Sequence, residues 1–156
     1  MSASKWADLA GRLIEEVDGT KRHLLPVRVY FEDTDFSGFV YHATYLRWCE
    51  RGRSDFLRLL GHHHQDLLSG RDGAPPSAFV VRRMQLEYRR PARIDEVLEV
   101  NTRVEKLTAA VLTLSQAVER DGVRLFDATV DVVLVSLDGK PQRLDQRFAT
   151  DFKAPG

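Results

Sequence analysis

The pattern that most restricts this chain is one stretch of helical period followed by an unbroken series of strands. Over Thr44–Leu60, the residues Tyr45, Trp48, Cys49, Gly52, Phe56, Leu59 and Leu60 fall on one stripe, while Arg47, Glu50, Arg51, Ser54 and Arg58 lie mainly elsewhere. Gly61 follows as a helix-ending residue. From Ser77 onward the period changes to two. Val80, Arg82, Met84, Leu86 and Tyr88 alternate in one run, and Leu98, Val100, Thr102 and Val104 in the next. Val111–Arg120 and Val123–Val135 continue the series, the latter with Phe126, Ala128, Val130, Val132 and Leu134 on one face. Asp121-Gly122 is a tight-hairpin signal, and Asp138-Gly139 marks a further turn. With a strand candidate at Leu25–Glu32, the order is one strand, one long helix, then four strands. That predicts an antiparallel α+β domain whose sheet wraps around a single helix.

A chain of 156 residues is one domain with length enough for a core. Lys+Arg and Asp+Glu balance at 23 each, which gives no global attraction to nucleic acid or an anionic membrane. The single cysteine, Cys49, has no intramolecular disulfide partner and fits a reducing compartment. Lys5, Asp8, Arg12, Glu15 and Glu16 interrupt the first residues, and no stretch approaches the roughly 20 apolar residues of a membrane span. A cytoplasmic location is the expectation. Trp6, Leu9, Leu13, Ile14 and Val17 stand near helical spacing. Residues 1–24 are therefore read as an amphipathic helical extension, 25–152 as the main domain and 153–156 as a tail.

Chemistry concentrates in the run Phe31-Glu32-Asp33-Thr34-Asp35-Phe36-Ser37-Gly38-Phe39-Val40-Tyr41-His42, between the first strand and the long helix. A helix amino end offers unpaired N–H groups and partial positive charge, which stabilise an oxyanion. A carboxylate beside it adds a nucleophile or a general base. Asp35 and His42 are the candidates for the reaction, and Asp33 for holding loop amides. Spacing alone fits Asp35 as a turn residue as well as a catalytic one.

These residues carry a family resemblance. Val27–Asp35, then Gly38, Val40-Tyr41-His42-Ala43 and Tyr45, resemble the acyl-CoA thioesterases associated with the Tol-Pal system, in the 4-hydroxybenzoyl-CoA thioesterase-like branch of the hotdog fold. Glu50-Arg51-Gly52-Arg53, Phe79–Met84, Glu87-Tyr88 and Pro91-Ala92-Arg93 extend the resemblance over about residues 25–152. It implies a hotdog fold and hydrolysis of acyl-CoA, with Asp35 as catalytic carboxylate and His42 assisting. It implies no cofactor, since coenzyme A is part of the substrate. It also implies a homodimer or homotetramer paired through the sheets, with acyl carrier protein as a further carrier. A main-chain N–H around Tyr41–Ala43 is the expected oxyanion donor. Several relatives have tyrosine where this chain has Phe31, which cannot donate a hydrogen bond; Tyr45 or a water is the expected replacement.

Arg82, Arg83, Arg89, Arg90 and Arg93 put five guanidinium groups within twelve residues, a match for the coenzyme A phosphates and equally for a solvated strand edge. A neutral chain argues against nucleic acid. Glu50 is read as a helix-surface carboxylate, and Cys49, on the apolar stripe, as a packed thiol. His62-His63-His64 point in different directions and make a poor chelating face, so no metal is expected. Two other readings stay open: a hydroxyacyl dehydratase on the same fold, and a non-catalytic binder of acyl-CoA or acyl carrier protein.

Overall fold

The computed structural model describes residues 8–70 and 73–155. Its strands are β1 (Arg12–Glu15), β2 (Lys21–Arg28), β3 (Ser77–Tyr88), β4 (Val97–Leu107), β5 (Leu112–Arg120), β6 (Val123–Ser136) and β7 (Pro141–Gln142). Its helices are α1 (Thr44–Leu59), α2 (His64–Ser69) and α3 (Gln146–Asp151). One antiparallel sheet runs in the order β1-β2-β4-β5-β6-β3, with β7 also paired to β6.

The hairpin turns follow their residues. Asp121 and Gly122 both have positive φ, 51° and 80°, as a two-residue hairpin loop requires, and they join Arg120 to its partner Val123. Pro26 is tolerated in β2 because it lies beyond Leu24, the last residue that β1 pairs with.

The inward face of the sheet packs on α1. Trp48, Cys49 and Phe56 of the helix are buried with Val100, Leu114, Val118, Phe126 and Val130 of the strands. Truncating Phe56 to alanine there costs about 3–5 kcal/mol. Gly52 allows the close approach: a Cβ at this position would stand 3.1 Å from both Thr102 Oγ1 and Val100 Cγ1. The helix ends where Gly61 adopts φ 90°, with Gly61 N–H donating to Arg58 O and His62 N–H to Leu57 O. That paired closure satisfies carbonyls the last turn would leave open. A sheet curled around one long helix is what the pattern of periods predicts, and it is the hotdog fold that the resemblance implies.

Two parts of the chain differ from the sequence expectation. Residues 12–15 form β1, not helix, and pair with Lys21–Leu24; Trp6 and the other residues of 1–7 lie outside the described residues. The turn between them decides this. Gly19 takes φ 82°, Asp18 accepts from Thr20 N–H at 2.9 Å, and Glu16 and Thr20 close the loop through a 2.8 Å backbone bond. Val17, read as part of an apolar helical stripe, is fully exposed. Residues 12–24 therefore join the sheet of the main domain.

In β3, a bulge between Val81 and Arg83 shifts the phase of the alternation. Phe79, Val81, Met84, Leu86 and Tyr88 face the buried β6 residues Leu134, Val132, Val130, Ala128 and Phe126. Val80 and Arg82 do not share that face. The first strand also stops earlier than Glu32, because Phe31–Asp33 turn into a single 3-10 turn.

Candidate active site

The loop between β2 and α1 is built from its own side chains. Asp33 Oδ2 accepts from Tyr30 N–H at 2.8 Å, the amide-holding role expected of it. Thr34 and Val40 pair as an isolated bridge, and Val40 N–H donates to Ala92 O at 2.9 Å, which fastens the returning arm to the β3–β4 connection. Gly38 turns the tip with φ 83°.

Asp35 stands on this loop with its side chain exposed. Its Oδ1 accepts from Ser37 N–H at 2.8 Å and from Ser37 Oγ–H at 2.5 Å. Those two hydrogen bonds, helped by the nearby His42 imidazole, hold its carboxyl below the usual carboxylate range. One oxygen is thus engaged in the turn, and Oδ2 has no hydrogen-bond partner among the described residues.

The helix start supplies donors. Tyr41 N–H is taken by Asp33 O at 2.8 Å, which removes it from the expected oxyanion donors. The main-chain N–H groups of His42 and Ala43 have no acceptor among the described residues, and Ala43 has helical φ and ψ of −75° and −17°. They are the orphan donors of α1. His42 is exposed, its ring 4.5 Å from that of Tyr41. Its carbonyl accepts from Tyr88 Oη–H at 2.6 Å.

Tyr45 occupies a different place from the one expected. It is 3% exposed, stacked on Phe126 at 5.1 Å and edge-on to Trp48 and Tyr88. Burial pushes its phenol up to about 12, against the pull of the Ala92 backbone. It supports the helix start from below and does not substitute for a hydroxyl at Phe31, which is itself 82% exposed.

The five arginines do not converge. Arg82 is the bulge residue, and Arg83 lies opposite Asp131. Arg89 is engaged by Asp127 at 2.5 Å and by Glu87 at 2.8 Å. Arg90 is exposed. Arg93 alone of the five touches the loop, its guanidinium 4.4 Å from the centre of the Phe39 ring. The histidine run also separates: His62 is buried between Phe148 and Phe152 and bonds Asp151 at 2.6 Å, His63 precedes α2, and His64 opens it. Burial pushes the Cys49 thiol up to about 12, and Glu50 accepts from Ser54 Oγ–H at 2.7 Å.

Two contributors had no place in the sequence reading. Ser37 fixes Asp35, and its signal was available as an Asp-x-Ser turn. Tyr88 holds His42, but nothing in a single sequence couples residues 46 apart.

An ionised carboxylate on the loop that leads into α1, together with main-chain N–H groups left without an acceptor at the amino end of that helix, is equipment suited to hydrolysing an activated carbonyl compound. The comparisons give the family. Residues 37–126 match the profile of the "Thioesterase superfamily". "Acyl-CoA thioester hydrolase YbgC" of Escherichia coli O6:H1 is 42% identical over 133 residues, 82% of this chain and 93% of its own length. "Acyl-CoA thioesterase YbgC" of Haemophilus influenzae is 41% identical over 112 residues, 72% of this chain and 79% of its own. The crystal structure of a "Probable Thioesterase" from Bartonella henselae superposes with a TM-score of 0.77 at 44% identity, covering 80% of this chain and 99% of that one. The chain belongs to the thioesterase superfamily and is a thioester hydrolase.

Proposed function

We propose that the protein hydrolyses acyl-CoA to the free acid and coenzyme A, with Asp35 as the reacting carboxylate. The observation that carries this is the pairing of an ionised, exposed Asp35 with the unpaired N–H groups of His42 and Ala43 at the start of α1. Two relatives named for acyl-CoA thioester hydrolysis, more than 40% identical over most of the chain, support the substrate class. As the thioester carbonyl is attacked, negative charge develops on its oxygen, and the two N–H groups stabilise it. The tetrahedral intermediate then expels the coenzyme A thiolate. Asp35 takes a proton from the attacking water, or attacks itself and forms a mixed anhydride that water opens. A single turnover in ¹⁸O-labelled water that yields unlabelled acid and labelled Asp35 marks an anhydride opened at the Asp35 carbonyl, whereas label in the acid follows from direct attack by water or from opening at the acyl carbonyl. His42 assists by charge. No added cofactor or metal is needed, so turnover survives EDTA.

The motif Val27–Asp35 with Tyr41-His42-Ala43 supports the finer assignment to the Tol-Pal-associated branch. Arg93 is the arginine of the five best located for a coenzyme A phosphate, on its contact with Phe39. The outer edge of β3 supports pairing with a second copy: it is the last strand of the sheet, twelve residues long, with Val80, Val81, Leu86 and Tyr88 exposed. Light scattering that returns a monomer removes that assembly.

The deciding experiment is thiol release from a panel of short, long and aromatic acyl-CoA substrates, with wild type and Asp35→Asn side by side. Turnover lost in the variant, with binding retained, is the expected outcome. Undiminished kcat in the variant removes Asp35 from the chemistry. Binding without turnover in wild type moves the protein to a carrier of acyl-CoA or a partner of acyl carrier protein.

A further inference from the structure

A narrow cavity of about 130 Å³ lies between α1 and the edge of the sheet, lined mainly by apolar side chains including Leu57, Phe79, Val81, Leu112 and Leu114. That is close to the ~150 Å³ that holds one benzene ring. Arg53 lines it too. This guanidinium is partly buried, and among the described residues no carboxylate comes within ion-pair distance of it. Its partner is neutral: Arg53 Nη1–H donates to Gln116 Oε1 at 2.9 Å, while Gln116 Nε2 donates to Cys49 O and Thr102 Oγ1, both at 2.9 Å. Burial holds the guanidinium below its ordinary value, against the charge of Glu50, which also lines the cavity, stands beyond ion-pair distance and accepts from Ser54 Oγ–H at 2.7 Å. A neutral donor would satisfy Gln116 equally well, so the charge and the remaining N–H groups are in excess of what the core requires.

The cavity lies farther along α1 than the reacting end. Helix α1 lies chiefly against β1, β2, β4 and β5, which leaves the inward face of β3 open along Leu86 and Tyr88. Tyr88 marks the His42 end of that seam and Val81 the cavity end. Arg53 is ten residues beyond Ala43, about 15 Å along the helix. An extended chain advances about 1.2 Å per bond, so the full distance takes about 12 carbons, and fewer where the long Arg53 side chain leans back toward the amino end of the helix.

We propose that this cavity receives the distal end of a medium-length acyl group and that Arg53 recognises an anionic oxygen there, making ω-carboxyacyl thioesters favoured substrates. This rests on the thioesterase reading above. A guanidinium matches a carboxylate through two parallel hydrogen bonds, whereas an alkyl end leaves the remaining N–H groups of Arg53 without an acceptor.

The test compares kcat/KM for three coenzyme A thioesters of one chain length: decanoyl, ω-hydroxydecanoyl and ω-carboxynonanoyl. The carboxy thioester is expected to exceed decanoyl by about 10–100-fold, with the hydroxy thioester between them. The ratio collapses to about one in Arg53→Met and recovers in part in Arg53→Lys, mainly through KM. A ratio of one in wild type, or a ratio that survives Arg53→Met, overturns the proposal. So does loss of the ratio together with dissociation of the assembly by light scattering, which makes Arg53 a contact between copies. Should Arg53→Met not fold, Val81→Trp fills the cavity and is expected to depress decanoyl turnover more than butanoyl; equal effects overturn the proposal. Calorimetric binding of the same three thioesters to Asp35→Asn separates the two readings. Preference in binding with no hydrolysis by wild type keeps the subsite and removes the thioesterase assignment. Hydrolysis with no preference in binding does the reverse.

Discussion

Tyr88 Oη donates to the main-chain carbonyl of His42 at 2.6 Å, tying the last residue of the edge strand to the peptide that leads into the long helix, two residues before its start. The bond fixes the peptide that joins His42 to Ala43, and that peptide carries one of the two free donors at the helix start. A tyrosine at the end of an exposed strand thereby sets the direction of the Ala43 N–H, the donor proposed above for the oxyanion.

Tyr88→Phe keeps the ring against Tyr45 and Phe126 and deletes only the hydroxyl. A lost hydrogen bond of this kind costs about 1 kcal/mol of stability. Turnover is expected to fall about 10-fold in kcat, with KM little changed, because the donor acts on the transition state more than on bound substrate. Steady-state kinetics alongside thermal melts check this. A rise in KM with kcat intact shows that Tyr88 serves binding.

With Asp35 in its proposed role, Ser37 sets the acid limit of the reaction. Its N–H and Oγ–H both favour the ionised form of Asp35, so the reactive carboxylate persists below the pH at which an ordinary aspartate is half protonated. Ser37→Ala removes one of these bonds. The acid limb of kcat/KM moves to higher pH, while the rate at neutral pH changes little. A pH–rate profile of the two proteins decides it, and a limb that stays in place assigns the acid limb to another group.

What the sequence makes legible follows the physics of each element. The α1 stripe, the Gly61 ending and the Asp121-Gly122 hairpin are local, and each was readable from a few neighbouring residues. The β1 segment was not, because Leu9, Leu13 and Val17 satisfy helical spacing while the Asp18–Thr20 turn and pairing with Lys21–Leu24 outweigh it. The β3 bulge needs the partner strand to be seen at all. At the site, Asp35 and His42 announce themselves by residue type. The free N–H groups of His42 and Ala43 leave no side-chain signature, and the capture of Tyr41 N–H by Asp33 O depends on the loop's closure.

Cys49 tests the packing of the helix against the sheet. It has no exposure, and burial pushes its thiol up to about 12, so almost no thiolate exists at neutral pH. Native protein is expected to leave a thiol reagent such as Ellman's unreacted and to titrate one thiol per chain in denaturant. Full reaction of native protein within minutes contradicts the packing of α1 on β4 and β5.

His23 gives the fold an acid-sensitive point. It is fully buried in β2, its Nε2 bonded to Asp55 Oδ2 of α1 at 2.7 Å, and its Nδ1 has no hydrogen-bond partner among the described residues. Gly11 lies directly against the pair, since a Cβ there would fall 1.8 Å from Asp55 Oδ2. Burial holds His23 below its ordinary value of 6.5, against the opposing hydrogen bond and charge of Asp55, and Arg58 lowers it further. The folded state therefore binds the proton less readily than the unfolded chain. Stability is complete above about pH 6.5 and falls as the pH drops below it, with a slope approaching about 1.4 kcal/mol per pH unit for one proton. His23→Gln retains a donor for Asp55 and does not titrate. The difference in denaturant midpoint between wild type and variant is expected to vary with pH from 6.5 downward and to be constant above. A difference that stays constant throughout removes His23 as the source of the acid sensitivity.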